Sequence, residues 1–90
     1  MTAARVELIR QALDSGLHPE ALEIEDESHL HAGHAGARDG RGHFRVTIVS
    51  AAFAGLRPLQ RHRRVYQALG ELMATDIHAL SIQAYTPDEI

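Results

Sequence analysis

With 90 residues, 44% of them hydrophobic and 23% charged, the chain has the size and composition of one small globular domain spanning residues 1–90, with no room for a second. It contains no cysteine, which excludes disulfides, thiol catalysis and any metal site built only from its own thiolates. A formal charge of −3 argues against a generic polyanion binder, and no run approaches the ~20 apolar residues of a membrane span, so the expected setting is the cytoplasm, without leader or anchor.

Thr2 precedes an Ala-rich stretch and suits a helix cap, and Val6, Ile9 and Leu13 recur on one face with Leu8 and Ala12 beside them, predicting a helix over 3–15. Gly16 stands where a left-handed terminating residue is wanted. Over 21–27, Leu22 and Ile24 alternate with Glu23 and Glu25, the period of a half-buried strand with its acids toward water. Residues 28–42 hold four of the seven glycines and no apolar period, predicting a long connection. A second strand follows at 43–50, where Phe44, Val46 and Ile48 alternate with Arg45, Thr47 and Val49.

Gly55 breaks that pattern, and Pro58 suits the first turn of a helix because its missing N–H has no partner there in any case. Leu59, Val65, Tyr66, Leu69, Leu72 and Met73 recur near the helical period, predicting a helix over 58–74 with a short first piece before Arg61. Thr75-Asp76 ends it. Residues 77–85 read as a third strand with His78, Leu80, Ile82 and Ala84 on one face, and Thr86-Pro87-Asp88-Glu89 reads as the capped start of a last helical turn. The order α-β-β-α-β(-α) predicts an α+β fold, a three-stranded mixed sheet covered by helices on one face.

Charge is unevenly spread: residues 41–70 hold six arginines and no acid, whereas residues 1–40 hold eight acids and three arginines. Arg57, Arg61, Arg63 and Arg64 therefore read as a basic face for phosphates or an acidic partner, or as a solvated face paired with Glu71 and Asp76. Four arginines release few counterions, and no aromatic residues interleave them to stack bases, so DNA affinity from this face is weak and salt-sensitive. Gly33-His34-Ala35-Gly36 spells a GxxG, but it joins two strands, whereas a phosphate clamp of that kind joins helices. His29, His31 and His34 stand at spacings that suit an adventitious Zn, Ni or Cu site or simply a polar loop. His62 falls on the buried stripe and reads as structural, hydrogen-bonded across to a neighbour; His18 and His43 read as ordinary edge residues. No nucleophile elbow and no HExxH motif is present, and the acids of the first strand form a water-facing row, so the chain reads as a non-enzyme.

Four blocks carry a resemblance: Phe44-x-Val46 with Val49-Ser50-x-x-Phe53-x-Gly55, then Leu59-x-Arg61-His62-Arg63-x-Val65, then Ile77-His78-Ala79-Leu80, with Glu27-Ser28 and His31 before the long loop. In this order they closely resemble the BolA family, in its histidine-loop branch. The resemblance implies a fold similar to a class II KH domain and partnership with a monothiol glutaredoxin, the two proteins bridging a [2Fe–2S] cluster that also uses glutathione. Some family members are described as DNA-binding transcriptional regulators of cell shape and stress response, which makes DNA the alternative partner through Arg57, Arg61, Arg63 and Arg64. The implied cluster ligands are His78 and a loop histidine, His31 in the best alignment with His34 and His29 as fallbacks. Imidazoles can replace thiolates on one iron, and a chain without cysteine offers only imidazoles, leaving the second iron to a partner. Both rings must be neutral to bind, so assembly is expected to weaken as pH falls through the histidine range. Self-association is expected to go no further than a weak homodimer.

Overall fold

A computed structural model describes residues 2–28 and 42–90 of the chain. Helix α1 (Thr2–Leu17) leads into strand β1 (Ala21–Asp26); strand β2 (Gly42–Val49) is followed by a 3-10 turn at Ala51–Phe53, helix α2 (Pro58–Leu69), the single-turn helix α3 (Leu72–Thr75), strand β3 (Ile77–Tyr85) and a closing 3-10 turn at Pro87–Glu89. The sheet runs β1-β2-β3, with β1 antiparallel and β3 parallel to the central β2. A parallel neighbour needs a long crossover, and α2 with α3 supplies it.

Alternation along the strands decides which face the helices cover. Phe44, Val46 and Ile48 point into a core completed by Ile9, Leu13 and Leu17 of α1, Val65 and Leu69 of α2, Phe53 and Ile77. On the outer strands Leu22, Ile24, Leu80 and Ile82 pack against that core, while Glu23, Glu25, Ser81 and Gln83 are exposed. The fold is therefore the expected α+β sandwich of two layers, helices on one side of a mixed sheet and water on the other.

Three local expectations change. Helix α1 runs past Gly16 to Leu17, and His18 takes the left-handed terminating conformation at φ 46°, its N–H donating to the Asp14 carbonyl at 3.1 Å. Gly16 serves another purpose: a Cβ there would stand 2.9 Å from the Cβ of Ala68, so the glycine lets α1 and α2 cross closely. A left-handed backbone strains any residue with a Cβ, so His18→Gly is expected to stabilise the fold by about 0.5–1 kcal/mol, read as a higher urea midpoint at unchanged m-value.

The helix expected over 58–74 divides at Gly70, whose φ of 55° a Cβ would oppose; α2 stops at Leu69 and the chain turns once more as α3 before β3. Two members of the expected apolar stripe also lie outside it, since Leu59 is 62% and Tyr66 41% exposed. The stripe that packs is Val65 and Leu69, with Ala68 and Leu72 at its margin. Finally, β3 does not keep one parity. Register passes from Gly42↔Ile77 to His43↔Ala79, which leaves His78 as an extra residue on β3. Ile77 goes into the core and His78 is exposed, on a different face from Leu80, Ile82 and Ala84.

Candidate functional site

The topology gathers histidines at one end of the sheet. Because β1 is antiparallel to β2 and β3 is parallel to it, the end of β1, the start of β2 and the start of β3 share that end. His78 emerges there on the irregularity in β3, and irregularities of this kind re-aim a side chain where pairing is interrupted. The ring of His43, the second residue of β2, faces that of His78 with centroids 5.1 Å apart and planes tilted by 47°. His43 is only 9% exposed, whereas His78 is open to solvent.

Backbone bonds fix this end from several sides. The His43 N–H donates to Ser28 Oγ at 3.1 Å, the Glu27 N–H donates to the His43 carbonyl at 2.8 Å, and the Gly42 N–H donates to the Asp76 carbonyl at 2.9 Å. Ser28 is itself turned by its N–H donating to Asp26 Oδ1 at 2.8 Å. Gly42 must lack a side chain, since a Cβ there would meet the Phe44 ring at 2.5 Å and Ser28 Oγ at 2.9 Å. Asp76, two residues before His78, is held by Arg5 of α1 at 3.3 Å and by the Thr75 hydroxyl at 2.6 Å; the hydroxyl first, then the guanidinium, keep its carboxyl below the usual carboxylate range. Glu27 pairs with Arg45 at 3.4 Å on the open face of the sheet.

Beside the rings lies an open cleft of about 270 Å³ lined by Glu27, His43, Phe44, Ala79, Leu80 and Ser81. That is below the ~300–1,000 Å³ of sites that bury a small molecule. Imidazole, a borderline-soft nitrogen donor, is thus the most reactive chemistry this end offers, and its natural partners are zinc, copper, nickel and iron centres. Among the described residues no group of three or more His, Cys, Asp or Glu could hold a metal ion alone.

His31 and His34, the expected loop ligands, lie outside the described residues, as do His29 and the GxxG. Their segment leaves the sheet at Ser28 and rejoins it at Gly42, both bonded to the histidine end. His43, read from sequence as an ordinary edge residue, stands beside His78; only the strand register and its interruption reveal the pairing. His62 is half-buried within α2, and its ring makes no hydrogen bond among the described residues.

The four arginines separate into two kinds. Arg61 is turned inward: its Nε donates to the Leu56 carbonyl at 2.9 Å, Nη1 to the Ala84 carbonyl at 3.2 Å, and Nη1 and Nη2 reach the two Glu89 oxygens at 2.6 and 2.9 Å. It clamps the C-terminal turn to α2 and β3, so its partner is Glu89, and Asp76 pairs with Arg5 in place of the expected helix arginines. Arg57, Arg63 and Arg64 are exposed and have no ion-pair partner among the described residues. The Arg61 bond holds the Glu89 carboxyl down to about 2 from 4.5. A depressed carboxylate stabilises the fold above its unfolded value and loses that contribution as pH falls. The stability difference between the native chain and Glu89→Gln is therefore expected to be full above pH 4.5 and to vanish towards pH 2, followed by urea titration across that range.

A two-layer α+β domain with a mixed three-stranded sheet, a basic crossover helix and an exposed histidine on an interrupted edge strand defines a narrow class. A sequence model described as BolA-like protein matches residues 13–89, and the chain belongs to that family. It is 52% identical over 79 residues to BolA-like protein 1 of Bos taurus, covering 88% of this chain and 56% of the relative, so it spans about half the length of that protein. It is 42% identical over 83 residues to the DNA-binding transcriptional regulator BolA of Haemophilus influenzae, covering 92% and 78%. Among solved structures it resembles the BolA domain of SufE1 from Arabidopsis thaliana at a TM-score of 0.85 and 43% identity, covering 97% of this chain and 96% of that one. No helix among the described residues is long and apolar enough to cross a membrane.

Proposed function

We propose that this BolA-family chain is a cytoplasmic adaptor of iron–sulfur metabolism that docks on a monothiol glutaredoxin and lends histidines to a shared [2Fe–2S] cluster. The observation that carries the reading is the exposed His78 on the interruption of β3, at the sheet end where the His31-bearing segment is anchored through Ser28 and Gly42. A chain with no cysteine and an outward imidazole fits half of a cluster's donor set, with the remaining iron ligated by the partner's cysteine and glutathione. When bound, such a centre supplies one-electron chemistry at a potential raised by nitrogen ligation. The chain's own part is to present neutral imidazoles, His78 from rigid strand and His31, or His34, from the 28–42 segment. The exposed Arg57, Arg63 and Arg64 offer a separate cationic face on the helix layer, with Arg64 beside Gly16 and Leu17 at the opposite end of the sheet from His78. Mixing the chain with a cluster-loaded monothiol glutaredoxin is expected to change the visible absorption and circular dichroism of the cluster; spectra that simply add would overturn the reading.

A second reading, a DNA-binding transcriptional regulator, is favoured by the exposed arginines at the start of α2 and within it, which have no ion-pair partner among the described residues, and by the name of the Haemophilus relative. Arg61 is committed to Glu89, so this reading rests on Arg57, Arg63 and Arg64. Gel shifts at physiological salt test it: a preferred sequence lost in Arg63→Ala/Arg64→Ala supports it, and equal weak binding to any DNA leaves only electrostatics.

A further inference from the structure

We infer that the outer edge of β3 pairs with the same edge of a second copy of this chain, antiparallel about a two-fold axis at Ser81, in a weak dimer with one continuous sheet. Bonds the strand already makes show which of its backbone groups face outward. The Tyr85 carbonyl accepts the Ser50 N–H on the β2 side, and the unbroken register from Ala79 to Tyr85 gives Ala79, Ser81 and Gln83 that same direction. The backbone groups of Leu80, Ile82 and Ala84 therefore point away from the sheet. Arg61 Nη1 takes the Ala84 carbonyl at 3.2 Å, but no described residue bonds the outward N–H and C=O groups of Leu80 and Ile82.

Charge and symmetry together select the occupant. An open strand edge is a template for another strand, and proteins block such edges with charge, proline or irregularity. The opposite edge, β1, carries Glu23, Glu25 and Asp26 within six residues, so two copies of β1 would repel. The nine residues of β3 include neither a charged side chain nor a proline. Its two blocks lie towards the ends, the irregularity at His78 and the Arg61 bond at Ala84, each three residues from Ser81. A two-fold contact needs a self-complementary patch, and the stretch between those blocks is one. Antiparallel pairing sets Leu80 opposite Ile82 of the second copy and Ile82 opposite its Leu80, so each pair exchanges both backbone bonds. On the helix side the half-buried Leu80 and Ile82 gain apolar neighbours; on the open face Ser81 meets Ser81 and Ala79 meets Gln83, with no like charges. So short a stretch belongs to the transient contacts below ~1,200 Å². The dimer needs neither a cluster nor a glutaredoxin, so it stands or falls apart from the function proposed above.

Sedimentation and amide hydrogen exchange of the chain alone, from about 10 μM to about 1 mM, test the pairing. The mass is expected to rise towards the dimer with concentration. Exchange at the Leu80 and Ile82 amides is expected to slow in step with the dimer fraction, while the amides of β1 stay unchanged. Ser81→Glu and Ser81→Arg, exposed changes on the open face, each set like charges across the axis and are expected to stay monomeric, whereas their equimolar mixture regains the dimer. A mass that stays monomeric up to about 1 mM, dimerisation kept in Ser81→Glu, a mixture that does not recover, or slowed exchange on β1 in place of β3 would each overturn the inference. Should either variant misfold, the concentration dependence of exchange at Leu80 and Ile82 in the unaltered chain decides the matter.

Discussion

His78→Ala is expected to abolish the spectral change that follows mixing with a cluster-loaded monothiol glutaredoxin, while leaving the thermal stability of the chain within about 0.5 kcal/mol. The side chain is exposed and lies on an interruption of the sheet, outside the packed core, so its removal opens no cavity there. In the proposed shared cluster His78 is one of two imidazoles on one iron, so its loss leaves that iron a protein ligand short and is expected to stop the mixed species from assembling. Visible circular dichroism of the mixture and a melting curve of the free variant read the two quantities separately. A full spectral change in the variant would show that His78 is no ligand; a large loss of stability would show that its position is structural.

Ser50→Ala is expected to have the largest effect on folding among single-atom deletions. Ser50 is 1% exposed, and its hydroxyl donates to the Leu17 carbonyl at 2.6 Å while accepting the Ala52 N–H at 3.1 Å. The first bond satisfies a carbonyl at the end of α1, where no intrahelical donor remains, and the second caps the 3-10 turn. Alanine leaves both groups in a water-poor junction, a penalty of about 2 kcal/mol, which in a domain of this size lowers the melting temperature by roughly 10 °C. A shift of under about 2 °C would mean that water reaches the Leu17 carbonyl and replaces the hydroxyl.

Much of the fold was readable because its elements obey simple periods. The alternation in Phe44, Val46 and Ile48 gave the buried face of the central strand, and the acids at Glu23 and Glu25 gave the open one. The misread points are those where one residue serves a distant part of the chain. Gly16 resembles a helix stop, but its missing Cβ accommodates Ala68, 52 residues away in sequence; the stop falls on His18, a residue whose left-handed backbone has no sequence signature. Arg61 sits among arginines of the same helix, yet Glu89 near the far end of the chain claims it.

At the candidate site the same division holds. His78 was legible from the Ile77-His78-Ala79-Leu80 block, but its outward orientation depends on a register step between Gly42 and His43 that no period reveals. His43 looked like the opening residue of a strand and no more, because its neighbour across the sheet is 35 residues later. The arginines of α2 were legible as a basic group, and the ion pair that withdraws Arg61 from it was not.

The most direct measurement is pulsed electron paramagnetic resonance on the reduced mixed cluster, assembled from this chain carrying ¹⁵N-histidine and an unlabelled monothiol glutaredoxin. Strong ¹⁵N hyperfine couplings that disappear in His78→Ala are the predicted result. A reduced cluster that forms in the mixture but carries no ¹⁵N coupling from this chain would contradict it.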